Sequence, residues 1–347
     1  MKRPSLRKKR LVPVLLLWAV FASAAEGRAA GEPWRKGPGL EFKVGGLVGF
    51  FPSGGGDLET YRQGMIDLAT DIGTIPGFNG NQGWNKLGSA AGVSFDAIFR
   101  INERIGVSVG TGWIRASSGG NYGFTYGQAG SESWGTYTLS GLEVNGEDFK
   151  ISTIPLRFSL YLTFPAGRWN FYGYAGAGYY WGTFTRRYTY DFSYNYADSS
   201  PLYPDEKTEI SSSESRDESA KAGGLGIHGG LGVEYRVLSF LAFGLEVYGR
   251  HANLSGWEGE AQWTATTREK QWREDAGWTS DQSSTDTGSK TGKLWFYEIG
   301  DEDLGRFYPR LDMRGAPAGG NFRNVRSAAL NLSAYGLAVT LKVFFDL

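Results

Sequence analysis

The chain has 347 residues, and its 36 basic and 36 acidic side chains balance to a net charge of zero. A balanced charge gives no general electrostatic reason to bind nucleic acid. The lack of cysteine in the sequence excludes disulfides and thiol catalysis, and 2 histidines are too few for a histidine-rich metal site. Glycine, at 52 residues, and an aromatic content of 15% instead favour a chain made mainly of β-strands.

The first residues have the pattern of a secretory signal peptide. A basic segment at 1–10 precedes an apolar stretch at 11–21, and Ala22-Ser23-Ala24 supplies small residues for cleavage. We therefore predict a signal peptide over 1–24, followed by a periplasmic N-terminal segment over 25–38. Beyond the signal peptide, no apolar run approaches the ~18–20 residues that a spanning helix needs.

Eight later segments alternate apolar and polar residues with period two, as strands with one apolar face do. Their connections are of two kinds, because three are only three or four residues long and four are long. Short turns at one end of a sheet and long loops at the other are typical of a transmembrane β-barrel. The strands are predicted at 39–51, 88–101, 105–116, 149–164, 169–185, 222–236, 240–252 and 328–347, and the long loops at 52–87, 117–148, 186–221 and 253–327.

The two faces of these strands differ in chemistry. Leu156 and Phe158 share one face of their segment, whereas Arg157 and Ser159 share the other. Glycine is frequent on the polar faces, as the interior of a narrow barrel requires, and closure removes the strand edges that lipid does not tolerate. The sequence therefore predicts an all-β fold, a closed antiparallel transmembrane β-barrel of eight strands over 39–347. Ten strands are the alternative, because 261–266 and 293–299 have weak strand character.

Three segments resemble a known family. They are 154–161 (IPLRFSLY), 172–180 (YGYAGAGYY) and the C-terminal segment, in which apolar residues alternate from Tyr335 to Leu347. These segments are similar to strands of the small outer-membrane β-barrel superfamily, of the eight-stranded outer membrane protein A, X and W type. The resemblance implies residence in the outer membrane of a Gram-negative-type bacterium. The long loops would be extracellular, and both ends of the mature chain would be periplasmic.

The C-terminal segment resembles the signal that the barrel-assembly machinery reads in this family. Tyr335, Val343, Phe345 and Leu347 would form it, although the family favours a terminal Phe where this chain has Leu347. The implied partners are that machinery, outer-membrane lipid and lipopolysaccharide. Aromatic residues near strand ends are expected to form two interfacial girdles. The upper girdle would contain Trp113, Tyr179 and Trp181, and the lower one Phe164, Trp169, Tyr235 and Phe345.

Several ionisable residues fall on the polar faces of the predicted strands. An unpaired buried charge is costly, so we predict that Arg157 or Arg100 pairs with Glu246, Asp96 or Glu234 and that the network blocks a water path. An open polar path is the alternative. The candidate network contains Asp96, Arg100, Arg157, Glu234, Glu246 and Arg250, and the same faces carry Glu41, Lys43, Arg236 and Lys342.

Histidine offers little support for catalysis. Lipid A deacylases and outer-membrane phospholipases resemble one another in a His-x-Ser-Asn motif, but Asn253 stands where that motif would place serine after His251. Ser255 would not lie beside His251, so the motif lacks the nucleophile–base pair that acyl transfer needs. We therefore predict no enzymatic activity, no cofactor and no metal, and we interpret His228 as a packed interior residue.

The predicted loops carry the remaining signals. Leu58, Tyr61, Met65 and Leu68 have helical spacing, which predicts a short helix over the barrel mouth, with a partner-binding helix as the alternative. Segment 186–221 is polar and is interpreted as mobile. The loop at 253–327 carries five tryptophans that are candidates for recognition of an extracellular protein or glycan, or for packing within the loop. They are Trp257, Trp263, Trp272, Trp278 and Trp295.

Three functions are compatible with these patterns. The first is a structural or surface-interaction role through the extracellular loops. The second is a passive conduit for small hydrophobic or polar solutes, as the resemblance to the W-type proteins implies. The third and most remote is a secreted β-sandwich that binds carbohydrate.

Overall fold

The computed structural model describes residues 37–51, 55–132, 135–301 and 304–346, so 1–24 and almost all of 25–38 lie outside the described residues. The described chain is nearly all antiparallel β, with one helix, α1 (Asp57–Ile72). No helix in these ranges combines the length and the hydropathy needed to cross a membrane. The strands are β1 (Gly39–Phe50), β2 (Phe78–Trp84), β3 (Ser89–Arg100), β4 (Ile105–Glu132), β5 (Gly135–Ala166), β6 (Trp169–Ser199), β7 (Glu206–Leu238), β8 (Leu241–Ser255), β9 (Glu258–Arg273), β10 (Gly277–Asp301), β11 (Arg306–Arg314), β12 (Phe322–Ser327), β13 (Ala329–Asn331) and β14 (Ala334–Asp346).

Antiparallel ladders follow one another in a ring. β1 pairs with β3 on one side and with β14 on the other. From β3 the ladders continue through β4, β5, β6, β7 and β8, and β8 pairs with β14, which leads back to β1. We call these mutually paired segments the ring. Most described strands belong to one continuous sheet, which differs from the two facing sheets of the β-sandwich alternative.

The prediction of irregular long loops was wrong. β4 runs on to Glu132, β5 already starts at Gly135, and the supposedly mobile segment 186–221 consists mainly of the ends of β6 and β7. Segments 261–266 and 293–299 are strand, within β9 and β10. The physical reason is that backbone pairing needs no apolar face, so polar residues such as Ser211–Ser213 pair on both sides without a hydrophobic alternation.

The same strands build a second part of the molecule, which we call the extension. It contains β2, β9, β10, β11 and β12 together with the far ends of β4–β7. β7 changes partner along its length, because Glu206–Lys221 pairs with β9 and Gly226–Leu238 pairs with β8. Ring and extension therefore share continuous strands. At about 3.3 Å per residue, a strand of β5's length spans roughly 100 Å.

Helix α1 contacts two strands at the ends of the extension, β2 and β11. Leu58, Tyr61, Met65 and Ala69 form its buried face, so the predicted helix is confirmed. It packs closely enough to need glycine, because a Cβ on Gly64 would overlap Pro309, and a Cβ on Gly80 of β2 would overlap the Ala69 carbonyl. The helix thus fills the gap between the two strands.

Hydrogen bonds fix both ends of this helix. The Asp71 carboxylate accepts from the Arg306 guanidinium at 2.6 Å and from the Tyr308 hydroxyl at 2.8 Å. At the other end, Asp57 accepts from Arg326 Nη2 at 2.7 Å and from the backbone N–H of Ala329 at 2.8 Å. The helix is therefore tied to three segments that are distant in sequence.

The outward and inward faces of the ring follow the predicted assignment. Leu245 and Val247 of β8 are 62% and 59% exposed, whereas Glu246 between them is 5% exposed. Leu156 and Phe158 also point outward, and Val343 is half-buried. The predicted girdle residues Trp113, Tyr179, Trp181, Phe164, Trp169 and Phe345 are exposed, and Tyr235 is half-buried.

Candidate functional site: the ring interior and the cleft of the extension

A buried charge network occupies the middle of the ring. Lys43 Nζ of β1 donates to Glu246 Oε2 of β8 at 2.9 Å and to the Tyr161 hydroxyl of β5 at 2.8 Å. The hydroxyls of Tyr172 and Tyr174 on β6 donate to the same carboxylate at 2.8 and 2.6 Å. The Glu246 carboxylate is thus held by three groups from two strands, β1 and β6.

Asp96 connects this network to an arginine. Arg157 Nη2 lies 3.0 Å from Asp96 Oδ1, and Lys43 Nζ lies 3.6 Å from Asp96 Oδ2. Toward the end of the ring that carries the short turns, Glu41 lies 3.2 Å from Arg100 and 3.3 Å from Lys342. These contacts make the interior a chain of alternating charges.

Glu234 completes this chain of charges. Lys342 Nζ lies 2.5 Å from Glu234 Oε1, and Asn170 Nδ2 donates to Glu234 Oε2 at 3.1 Å. The cavity lined by Glu41, Arg100, Lys342 and their neighbours measures only about 10 Å³. That volume is about what one water molecule needs, so packed side chains fill this end of the ring.

The structure brings together most of the predicted network, with different partners. Arg157 pairs with Asp96, as one of the predicted combinations states, but Glu246 and Glu234 pair with lysines. Lys43 and Lys342 were therefore missing from the candidate set, although their inward positions were visible in the alternation. Arg250 lies apart, where its Nε donates to the Leu332 carbonyl at 3.0 Å.

An apolar core fills the interior where the ring meets the extension. Trp257 is fully buried in it, and its Nε1 donates to the Leu254 carbonyl at 3.0 Å. Its ring packs against Phe184 at 6.3 Å between centroids. Trp257 is thus a core residue, which agrees with the packing alternative and not with recognition.

The other four tryptophans lie on the strands of the extension. Trp278 is 53% exposed, with Lys270 Nζ 5.4 Å from its ring centroid. Trp263 donates to Asp286 at 3.4 Å, and Trp272 lies 4.7 Å from Lys207 Nζ. Trp263, Trp272 and Trp295 are half-buried. Trp272 and Trp278 are paired opposite each other on β9 and β10, and a recognition role for the four tryptophans stays a prediction.

A second buried charge cluster lies beyond the apolar core, around Arg186 of β6. Its Nε donates to Glu147 at 2.8 Å, its Nη1 to the Leu311 carbonyl at 2.6 Å and its Nη2 to Tyr61 at 3.0 Å. Burial opposes the charge on Arg186, but Glu147 and Glu218 outweigh it and hold the pKa of the guanidinium above its ordinary value. Burial also raises the pKa of the Tyr61 hydroxyl, which donates to Glu147.

A cleft of about 360 Å³ opens beyond this cluster. Its walls come from β4–β7, β10, β11 and α1. The Tyr188 hydroxyl donates to Asn145 Oδ1 at 2.7 Å, and Asn145 Nδ2 donates to Glu143 at 3.0 Å. Sequence reasoning missed this site, because its residues lie in segments taken as loops. The lining residues are Tyr61, Leu68, Tyr122, Glu143, Asn145, Arg186, Tyr188, Tyr190, Glu214, Arg216, Tyr297, Arg310, Leu311 and Asp312.

Both histidines contact a serine from a distant part of the chain. Ser333 Oγ lies 2.7 Å from His251 Nδ1 on the outward face, and Ser159 Oγ lies 2.8 Å from His228 Nε2 in the ring interior. The sequence motif at His251 lacks a serine, but the fold supplies Ser333 from the connection between β13 and β14. No carboxylate hydrogen bond to His251 is present among the described residues, and these residues contain no group of three or more ligands for a metal ion.

The C-terminal residues lie on β14, the strand that joins β1 to β8. Tyr335 and Phe345 are 58% and 49% exposed, and Leu347 lies outside the described residues. The role of this strand as an assembly signal stays a prediction.

Comparison with known proteins gives little that bears on function. No family model matches the chain, and no curated protein is similar to it. Among solved structures, a major outer membrane protein from Thermus thermophilus is 11% identical with a TM-score of 0.28, covering 88% of this chain and 99% of that one. The siderophore receptor PirA from Pseudomonas aeruginosa is 10% identical with a TM-score of 0.11, covering 91% and 81%. TM-scores this low carry no argument about the fold or the site.

Proposed function

We propose that the chain is a non-enzymatic outer-membrane protein whose ring is an eight-stranded transmembrane β-barrel. The observation that carries this proposal is an apolar band on the outward face. On β5 the band runs from Ile154 to Phe164, and the exposed charged residues Lys150 and Asp148 lie beyond it. At about 3.4 Å per residue and a tilt of about 40°, these residues span roughly 26 Å, close to the band of known outer-membrane barrels.

The interior supports display of the extension rather than transport. Most of the charges inside the ring pair with one another, and an apolar core that contains Trp257 lies between them and the cleft. A barrel filled in this way anchors the extension outside the cell and offers no open path to a solute. The proposed role is therefore surface interaction through the extension, with lipid, lipopolysaccharide and the assembly machinery as partners of the barrel.

Single cysteines test the orientation, since the native sequence contains none. Tyr203→Cys lies in the exposed turn between β6 and β7, and Ala166→Cys lies at the short β5–β6 turn. On intact cells, a membrane-impermeant maleimide should label the first variant and label the second only after lysis. Labelling of Ala166→Cys alone on intact cells would invert the orientation and contradict the proposal.

Conductance separates display from the conduit alternative. Purified protein in planar bilayers should show no stable discrete openings. Regular openings with the unmodified protein would favour the conduit and would mean that the interior rearranges from the packed state.

The serine–histidine pair at Ser333 and His251 provides the test for the absence of catalysis. The protein should not release p-nitrophenol from short- or long-chain p-nitrophenyl esters above the background. Ester hydrolysis that is lost in Ser333→Ala and retained in Ser255→Ala would show an enzyme.

A further inference from the structure

We propose that the cleft of the extension binds a neutral saccharide, an inference that rests on the proposed display of the extension outside the cell. The cleft volume of about 360 Å³ suits a small ligand or a few sugar rings. Its walls come from seven elements spread between Tyr61 and Asp312, so the cleft exists only in the folded extension.

Aromatic side chains form much of the wall. Tyr122, Tyr188, Tyr190 and Tyr297 reach the cleft from β4, β6 and β10. Tyr190 is half-buried, and its ring lies nearly parallel to that of Phe192, with an interplanar angle of 4°. A sugar ring has an apolar face of C–H groups that packs on such surfaces, while the tyrosine hydroxyls bind its polar edge.

Planar polar groups alternate with these rings. Glu143 and Asn145 on β5 are already hydrogen-bonded to each other, and Tyr188 donates to Asn145. The Glu214 carboxylate, in contrast, forms no hydrogen bond or ion pair with any described residue, although it lines the cleft. A carboxylate accepts hydrogen bonds from adjacent hydroxyls, so Glu214 is suited to bind a polyhydroxylated ring.

The charges at the cleft argue against an ionic ligand. Three arginines (Arg186, Arg216 and Arg310) and three acids (Glu143, Glu214 and Asp312) line it, so their formal charges cancel. Arg186 is bound by Glu147, and Arg216 by Asp312 at 2.6 Å. A phosphate would find two of the three arginines already paired, and a polyamine would meet the remaining one, Arg310, beside Glu143 and Glu214.

Full-length protein in detergent provides the test, with maltotriose, cellotriose and chitotriose as neutral probes. Trigalacturonate and inositol hexakisphosphate serve as charged probes. Saturation-transfer NMR and calorimetry should detect at least one neutral trisaccharide, with weaker or no binding of the charged probes. Tyr190→Ala and Glu214→Gln should each weaken that binding at least tenfold.

Tyr203→Ala is the matched control, because Tyr203 is 71% exposed and lies outside the cleft. It should bind as the unmodified protein does. Glu214→Gln keeps the size of the side chain, so it tests the carboxylate even where Tyr190→Ala disturbs the fold.

Three results would overturn the saccharide site. They are failure of all neutral probes to bind, unchanged binding in both cleft variants, and preference for a charged probe. Surface labelling of Tyr203→Cys tests the display of the extension separately. If the protein is labelled on cells but binds no saccharide, only the saccharide site is contradicted. If it binds a saccharide but stays unlabelled on cells, the proposed location outside the cell is contradicted.

Discussion

The ring and the extension use the same strands with opposite chemistry. On β5, the outward residues of the ring are apolar, such as Leu156 and Phe158, and the inward residue between them is Arg157. Beyond Ser152 the pattern inverts, since Lys150 faces outward and Phe149 is buried. The strand keeps its alternation of inward and outward positions throughout.

This inversion fits the proposed location, with lipid around the ring and water around the extension. Where lipid surrounds the proposed barrel, apolar side chains face out and the interior is free to hold paired charges and trapped water. Where water surrounds the extension, apolar side chains must be inside, because burial of apolar surface is the main force that stabilises it. Different substitutions should therefore destabilise the ring and the extension.

The largest loss of stability is expected from a substitution in the apolar core. Trp257→Ala should destabilise the extension by about 3–5 kcal/mol, because it removes a fully buried ring and leaves a cavity. Limited proteolysis should then cut the extension while the ring strands stay protected in detergent. Trp278→Ala is the control, since Trp278 is 53% exposed and should tolerate truncation. Equal sensitivity of the two variants would contradict the core assignment.

The next largest loss of stability is expected on the outward face of the ring, which the proposal places in lipid. Leu245→Lys places a charge on the outward face of β8 near the middle of the apolar band, which should cost about 2–4 kcal/mol in a bilayer. Leu202→Lys, in the exposed turn beyond β6, should cost almost nothing because Leu202 is 72% exposed to water. Unfolding free energies in lipid vesicles measure both, and a small cost at Leu245 would show that this face does not meet lipid.

Two glycines of β2 allow a matched test of helix packing. Gly80→Ala should cost about 1–3 kcal/mol, because its Cβ would overlap the carbonyl of Ala69 on α1. Gly83→Ala lies on the same strand with nothing within 4 Å of its Cβ, so it should be nearly neutral. Protease sensitivity of α1 reports the difference. Similar behaviour of the two variants would mean that α1 is not seated on β2.

Glu246→Gln probes the ring interior. Breaking the pair with Lys43 would cost about 3–5 kcal/mol in a dry site. Water can enter a barrel, so we expect a smaller loss of stability together with a measurable ion leak in planar bilayers. The exposed Glu260→Gln on β9 should change neither quantity. A variant of Glu246 that neither leaks nor loses stability would show that the network does not close the interior.

The smallest expected change in stability comes from the titration of Tyr308. Burial, and then the hydrogen bond to Asp71, raise the pKa of Tyr308 to about 12. The folded-state pKa is above the unfolded value near 10, so this contact contributes fully below about pH 10 and is lost as the pH rises through 12. The absorbance difference between the unmodified protein and Tyr308→Phe should titrate near pH 12. A midpoint near 10 would mean that Tyr308 does not hold α1.

Much of the ring was predictable from its sequence because its strands alternate between apolar outward residues and polar inward residues. Leu245 and Glu246 could be assigned to opposite faces, and the pair of Arg157 with Asp96 was among the combinations expected. Which residues meet across the interior was not predictable, since contacts such as Lys43 to Glu246 depend on the stagger of strands distant in sequence. The extension was missed because polar strands in water, such as Ser211–Ser213, have the composition of loops.

The uninterrupted ladder between β5 and β6 has a consequence for how the protein assembles. It runs from Thr136 opposite Ser199 to Ala166 opposite Trp169 without a bulge. A misaligned hairpin would therefore displace Tyr161 from Tyr174 in the ring and Glu147 from Arg186 in the extension by the same shift. One alignment error would disturb contacts in the ring and in the extension together, so the register of this hairpin links the two parts of the molecule.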